Sequence, residues 1–183
     1  DFGYADTVSH VIHVVDEQAP IFTNVPADAT VECGDPLPAN QAVAVDNCNG
    51  VTITHSDEMT VTGCGNTGTI VRTWYAEDAC GNVNTATTTF TVEDNTAPAI
   101  SDVPANTTIG CEEDYSFPNP TASDACGTVD LTEEVTVVEG ACANSYTLIR
   151  TFTAIDDCGN FAQAVQSVTV VDDDAPVFAG LPA

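Results

Sequence analysis

Two stretches of the chain alternate apolar and polar residues and then break at the same turn. In the first, Ile70, Arg72, Trp74 and Ala76 fall on one face and Val71, Thr73 and Tyr75 on the other, the period-two signature of a strand. The run ends in Asp78-Ala79-Cys80-Gly81-Asn82, and a Thr-rich alternating run follows from Val83 to Val92, so the pair predicts a hairpin. The design returns as RTFTAIDDCGN from Arg150 to Asn160. Ahead of the first hairpin, short strands are expected at Ile21 to Val25, Thr30 to Cys33, Ala42 to Val45 and Val51 to His55, with a loop over 63–68. Pro36 and Pro38 donate no hydrogen bond and assign their stretch to an edge or a crossover. No stretch carries a helical period. About seven short strands per unit, with turn signals between them, predict an antiparallel β-sandwich with Greek-key connections.

The two hairpins belong to a strict repeat. Cys33/Cys111, Cys48/Cys126, Cys64/Cys142 and Cys80/Cys158 are each 78 residues apart, and Pro20, Pro98 and Pro176 keep the same step. A period shared by all eight cysteines predicts tandem copies of one module without net insertion. The expected modules are 16–93 and 94–171. Residues 1–15 align with the last strand of a preceding module, and 172–183 with a linker and the first strand of a following one. Taken as a true start, 1–15 would be a strand without its own sheet, suited to donation to another chain.

Composition narrows the setting. A module of this size buries only about 60 per cent of its unfolded surface, so its core is marginal and evenly repeated cysteines point to disulfides and an extracellular, secreted or cell-surface location. The chain carries 28 acids against two bases, a net charge of −26. That surface repels nucleic acid and anionic lipid and attracts divalent cations. Both bases are arginines, Arg72 and Arg150, which are repeat equivalents. They are expected to stack beside Trp74 and Phe152 and to pair with an acid the sequence does not identify. With no lysine, Lys–Asn isopeptide crosslinks are excluded. No apolar run reaches the roughly 18 residues needed to cross a bilayer, so no membrane insertion is expected.

The course of the strands puts Cys48 and Cys80 at the leading pole of the first module and Cys33 and Cys64 at its trailing pole. Of the three pairings four cysteines allow, this selects Cys33–Cys64 with Cys48–Cys80, and Cys111–Cys142 with Cys126–Cys158. Two disulfides per module result, each closing a loop of about thirty residues worth roughly 3 to 4 kcal/mol.

The linkers DEQAP, DNTAP and DDDAP, the turns DNCNG and DACG, the R-T-W/F-x-A-x-D-x-C-G-N hairpin and the Thr-rich last strand together resemble the hyalin-repeat (HYR-like) family of immunoglobulin-like modules. The resemblance covers essentially the whole chain. Its cysteine-bearing form is similar to modules of very large secreted surface proteins of Bacteroidota-type bacteria. It implies tandem immunoglobulin-like sandwiches acting as stalks, adhesins or filaments. Phe2 stands where the motif has cysteine and Tyr4 where it has asparagine.

The acids suggest one chemistry. Asp16, Glu17, Asp46, Asp78 and Asn82 are expected to gather at the leading pole of the first module, and Asp94, Asn95, Asp124, Asp156, Asp157 and Asn160 at that of the second; Asp172 opens the next linker. Calcium takes six to eight hard oxygen ligands, and such loops supply them, so an ion bridging two modules would fix their angle. Asp and Asn are equally the residues turns prefer, and no D-x-D-x-D-G loop is present. Asn106-Thr107-Thr108 fits the N-glycosylation pattern, and the Asp-Thr-Val around Thr7 resembles a Bacteroidota O-glycosylation motif. No enzyme is expected: His10 and His13 point to opposite faces of one strand, His55 is solitary, and no insertion forms a cleft. The sequence therefore predicts a structural extracellular repeat protein of a fibre, filament or adhesin stalk, partnered by neighbouring modules and identical chains. The rival reading is a carbohydrate- or protein-binding adhesion module, which would present aromatic side chains on loops.

Overall fold

The computed structural model describes residues 3, 7–48, 50–142, 144–173, 175 and 178. Most of 1–6 and of the closing segment after residue 173, including Pro176, lies outside the described residues. The described chain is all β. The first repeat holds β1 (Ile21–Asn24), β2 (Ala29–Glu32), β3 (Val43–Val45), β4 (Thr52–Val61), β5 (Gly68–Glu77) and β6 (Val83–Glu93). The second holds β7 (Ala99–Ser101), β8 (Thr107–Gly110), β9 (Thr121–Ser123), β10 (Val129–Glu139), β11 (Tyr146–Asp156) and β12 (Phe161–Val171).

Each repeat is a sandwich-like set of a two-stranded sheet, β1-β3 or β7-β9, and a four-stranded sheet, β2-β6-β5-β4 or β8-β12-β11-β10. Six strands form where about seven were expected, because the Pro-bearing stretches between β2 and β3 and between β8 and β9 do not join a ladder. In compensation β4 runs to Val61, past the expected end at His55. In the second repeat the register from Val129↔Asp156 to Glu139↔Tyr146 keeps β10 paired along all of β11. In the second repeat β8 lies parallel to β12, Thr107 opposite Val168 and Gly110 opposite Val171.

Compactness divides the chain elsewhere than the repeat does. One unit comprises 1–29, 37–59 and 70–90; the other comprises 30–36, 60–69 and 91–183. The trailing loops of the first repeat, with Cys33 and Cys64, thus belong to the second unit.

The core of the first unit is Trp74 and Phe90, flanked by Ala76 and Thr88. Burying a large side chain of this kind is worth about 1.5 to 3 kcal/mol. The indole Nε1 donates to Thr88 Oγ1 (3.0 Å), and the Thr88 hydroxyl donates to the Pro26 carbonyl (2.9 Å), so no polar atom of the pair is stranded. Arg72 supplies the acid the sequence left unnamed: its guanidinium grips both carboxylate oxygens of Asp57 (2.7 and 2.8 Å) and lies over the Trp74 and Phe90 rings. In the second unit Phe152 replaces Trp74, Val168 replaces Phe90 and Gln166 replaces Thr88, all fully buried. Arg150 donates to Glu133 (2.6 Å), Gln166 Oε1 (2.7 Å), Asn119 Oδ1 (2.7 Å) and the Pro118 carbonyl (3.0 Å), and stacks on Phe152.

Candidate functional site

The chemistry of this chain concentrates at the Asp-x-Cys turns. In the second repeat Asp124 Oδ1 accepts from the Cys126 amide (2.7 Å), and Asp156 Oδ1 accepts from the amides of Cys158 (2.8 Å) and Asn160 (2.9 Å). The Asn160 amide group donates to Asp156 Oδ2 (3.0 Å) and to the Asp94 carbonyl (3.2 Å), tying the linker to the turn. Each Asp thus folds its own turn around the cysteine two residues on.

Those cysteines do not pair within their repeat. Cys33 bonds to Cys126 with Cα atoms 5.5 Å apart, and Cys64 bonds to Cys158 at 5.1 Å, with sequence separations of 93 and 94 residues. The pairings expected from strand direction, Cys33–Cys64, Cys48–Cys80, Cys111–Cys142 and Cys126–Cys158, are corrected accordingly. Cys48, Cys80 and Cys142 are exposed free thiols, and Cys111 is exposed. The cause lies in the second unit, where the loops bearing Cys33 and Cys64 pack onto the 125–127 turn. The Asn66 amide donates to the Cys126 carbonyl (2.8 Å). Gly34 and Gly65 have positive φ, and a Cβ on Gly34 would come within 2.9 Å of Ala125 Cβ while one on Gly65 would collide with the Cys126 carbonyl oxygen. Two glycines let backbone meet backbone, bringing sulfur of one repeat within bonding distance of sulfur of the next.

The expected acid clusters form in part. In the second unit, carboxylate oxygens of Asp94 and Asp156 and the Cys158 sulfur lie within 4.8 Å of one another. Burial, and then the charges of Asp124, Asp156 and Glu32, push the Asp94 carboxyl above its usual range. In the first unit Asp16, Asp46 and Cys48 form the corresponding group, and Asp16 Oδ2 is buried without a hydrogen-bond partner. Burial, then the charges of Asp16, Asp46 and Cys80, raise the Cys48 thiol. Asp78 repeats the Asp156 arrangement: it accepts from Cys80 and Asn82, the Asn82 side chain reaches the Asp16 carbonyl (3.1 Å), and these bonds, that from the Asn82 side chain first, lower the Asp78 carboxyl.

Other expected ligands are otherwise engaged. Asp157 accepts from the Thr128 amide and hydroxyl, both at 2.8 Å, which holds its carboxyl below the usual range. Asn95 turns to Glu32, whose Oε1 also accepts from the Asn95 amide (2.6 Å) and the Thr96 hydroxyl (2.9 Å). The Asn95 backbone bond foremost lowers the Glu32 carboxyl. Glu32 carried no signal in the sequence, since its repeat equivalent is Gly110. Glu17 and Asp172 are exposed, as are Thr7 and Asn106. Asn106 Oδ1 accepts from the Ser167 amide (2.8 Å), a strand-start bond that Asp28 makes to Thr89 in the first repeat. His10 and His13 are exposed, and His55 leans on Trp74 at 5.2 Å. Each acid pair offers calcium only part of its oxygen shell, with water left to complete it.

A second feature lies in the second unit. An open cavity of about 410 Å³ is lined by Phe117, Asn119, Glu133, Val135, Leu148 and Arg150. Phe117 sits on the loop between β8 and β9, 45% exposed, with its ring edge-on to Tyr115 at 4.8 Å. The first repeat has Ala39 where this ring stands.

A four-cysteine repeat with these turns has a counterpart among known families. Residues 99–170 match the model of an HYR-like domain with 4 cysteines. The HYR-like match covers the second repeat, whose Asp124 and Asp156 turns each carry one disulfide. No curated protein sequence matches the chain. Among solved structures, human Protocadherin-24 EC1-2 is similar at 16% identity, covering 86% of this chain and 100% of that one with a TM-score of 0.38. The Protocadherin GammaB4 extracellular domain gives 16% identity, 86% of this chain and 35% of that one, with a TM-score of 0.38. Drosophila N-cadherin EC1-4 gives 15%, 86%, 51% and 0.32 in the same order. Among the described residues, no helix is long and apolar enough to cross a membrane.

Proposed function

We propose that this chain is a structural, extracellular repeat protein, part of a surface fibre, filament or adhesin stalk, in which sulfur joins each HYR-like repeat to the next. The observation that carries the reading is the connectivity Cys33–Cys126 and Cys64–Cys158, a cysteine of one repeat bonded to one of its neighbour each time. Such bonds persist in oxidising, extracellular surroundings. They give tension a covalent route past the folded segments between them. The 93-residue separation, at about 3.5 Å per residue, withholds roughly 320 Å of contour from a stretched chain. Pulling single molecules by their termini tests this: oxidised chains should stop short by about that length, and reductant should release it. Equal contour lengths with and without reductant would refute the reading.

Calcium at the acid groups is a further part of the proposal. Asp16 Oδ2 is buried without a partner, and burial first, then neighbouring carboxylates, raises the Asp94 carboxyl; a divalent cation would relieve both. Calorimetric titration should give heat with calcium, and a chelator should lower the melting temperature. No heat and no shift would remove this part.

The cavity beside Phe117 favours a second reading, an adhesion module that holds a sugar or a protein side chain against the ring. Binding on a glycan array by the wild-type chain that is lost in Phe117→Ala would support it.

A further inference from the structure

The inner face of the long sheet in the second repeat is only partly covered. β7 and β9 run three residues each, whereas β10 and β11 run eleven, so the short sheet cannot cover the length of that face. The register sets Glu133 opposite Phe152, Val135 opposite Arg150 and Val137 opposite Leu148, which puts these side chains on the face that carries the core. Yet Val135 is 50% exposed and Val137 54%. The loop between β8 and β9 reaches over this open end and encloses the cavity of about 410 Å³ beside Phe117. Small-ligand sites span about 300 to 1,000 Å³, so the volume suits one.

The loop is fixed before any ligand arrives. The buried Arg150 donates to the Pro118 carbonyl and to Asn119 Oδ1, and Gln166 Nε2 donates to the hydroxyl of Tyr115, whose ring meets Phe117 edge-on. Three residues at the cavity depart from the first repeat: Phe117 stands where Ala39 does, Glu133 where His55 does and Val135 where Asp57 does. The last two change how the arginine is paired. Asp57 spends both carboxylate oxygens on Arg72, whereas Glu133 gives Arg150 one, Oε1 at 2.6 Å. Asn119 likewise turns Oδ1 to the guanidinium, which can only donate, so its NH2 group points elsewhere. An acceptor, Glu133 Oε2, and a donor, Asn119 Nδ2, are thereby left in a cavity walled by an aromatic ring and two aliphatic side chains.

We infer that this cavity binds a neutral pyranose, its C–H face against Phe117, Val135 and Leu148 and its hydroxyls between Glu133 Oε2 and Asn119 Nδ2. This rests on the adhesion reading above and narrows it to one ligand class. Charge makes the choice. An anion such as a uronic acid meets Glu133 and a chain of net charge −26, and the Arg150 donors that would answer it are bonded to Glu133, Gln166, Asn119 and Pro118. A cation meets Arg150 itself, whose guanidinium lies over the Phe117 ring at 5.4 Å and already holds Glu133. A purely apolar side chain would shut water off from Glu133 Oε2 and Asn119 Nδ2 without replacing its hydrogen bonds. A sugar ring answers both parts of the wall: its C–H groups pack on the negative face of an aromatic ring, and each hydroxyl donates and accepts.

The test titrates the whole chain, followed by NMR, with methyl pyranosides that are neutral, uronic or amino-substituted, and with a lysine-rich and a leucine-rich peptide. The neutral glycosides should bind, with saturation transferred most strongly to the C–H groups of one ring face. Phe117→Ala should weaken them about tenfold or more. Asn119→Asp keeps an oxygen for Arg150 and removes the NH2 group, so it should weaken them as well, whereas a cationic ligand would bind that variant more tightly. A wild-type pattern of backbone amide signals away from the cavity reports that both variants fold. Preference for a charged glycoside or for a peptide, lost in Phe117→Ala, would overturn the inference and leave the adhesion reading standing. Neutral binding that either variant leaves intact would overturn it too. Wild type that binds no probe would do the same, and a silent glycan array beside that result would remove the adhesion reading with it.

Discussion

The leading poles of the two repeats share one turn and differ in the bonding of their sulfurs within this chain segment. Both present an Asp-x-Cys turn folded by its own aspartate, an Asn side chain clasping the linker and a pair of crowded acids. At the second pole both cysteines are bonded to the preceding repeat; at the first, both are thiols. The turn therefore does not need its disulfide in order to form. Local hydrogen bonds shape it.

The largest expected effect comes from making the second pole like the first. Replacing Cys33 and Cys126 by serine opens a loop of 93 residues and should cost about 4 kcal/mol on the chain-entropy model, read as a lowered denaturation midpoint. An unchanged midpoint would mean that packing of the Gly34 and Gly65 loops, rather than sulfur, holds the joint.

The cores sharpen the comparison next. In the first unit a tryptophan and a threonine satisfy each other; in the second, phenylalanine leaves no indole donor, and the longer Gln166 reaches Arg150, the Ala105 carbonyl (3.0 Å) and the Tyr115 hydroxyl (3.2 Å). Gln166→Leu strands part of a buried guanidinium and should cost about 2 to 4 kcal/mol, whereas Thr88→Val should cost about 1 to 2 kcal/mol. Equal losses in urea unfolding would contradict this account of the two cores.

The smallest effect is a pH slope. The hydrogen bond and charge of Arg72 hold the Asp57 carboxyl below its usual value of 3.8. A depressed carboxylate contributes stability that is complete above the unfolded value and disappears as pH falls through the folded one. Melting temperature should therefore fall below about pH 4 in wild type and fall less steeply in Asp57→Asn. Asp94 runs the other way: its raised carboxyl favours the folded state more at acid pH, and that contribution is lost as pH rises through the folded value.

The hairpins were legible because β5 and β11 each bury one face, so alternation at Arg72-Trp74-Ala76 survives in the sequence. The poles of the cysteines were legible from strand direction. The partners were not, for a reason of symmetry: pairing 33 with 64 and pairing 33 with 126 both repeat under a shift of 78, so the period is blind to the choice. Gly34 and Gly65 leave room for another loop, but Gly81, Gly127 and Gly159 follow cysteines as well, so glycine did not mark the joint in the sequence. Glu32 and Phe117 were invisible because each serves one repeat and has a small residue, Gly110 or Ala39, in the other.

The interleaving of the two disulfides has a bearing on survival outside a cell. Cys64 lies between Cys33 and Cys126, and Cys126 lies between Cys64 and Cys158. A protease that nicks the backbone once, anywhere from Cys33 to Cys158, leaves both fragments tethered. The wound stays closed until a reductant arrives.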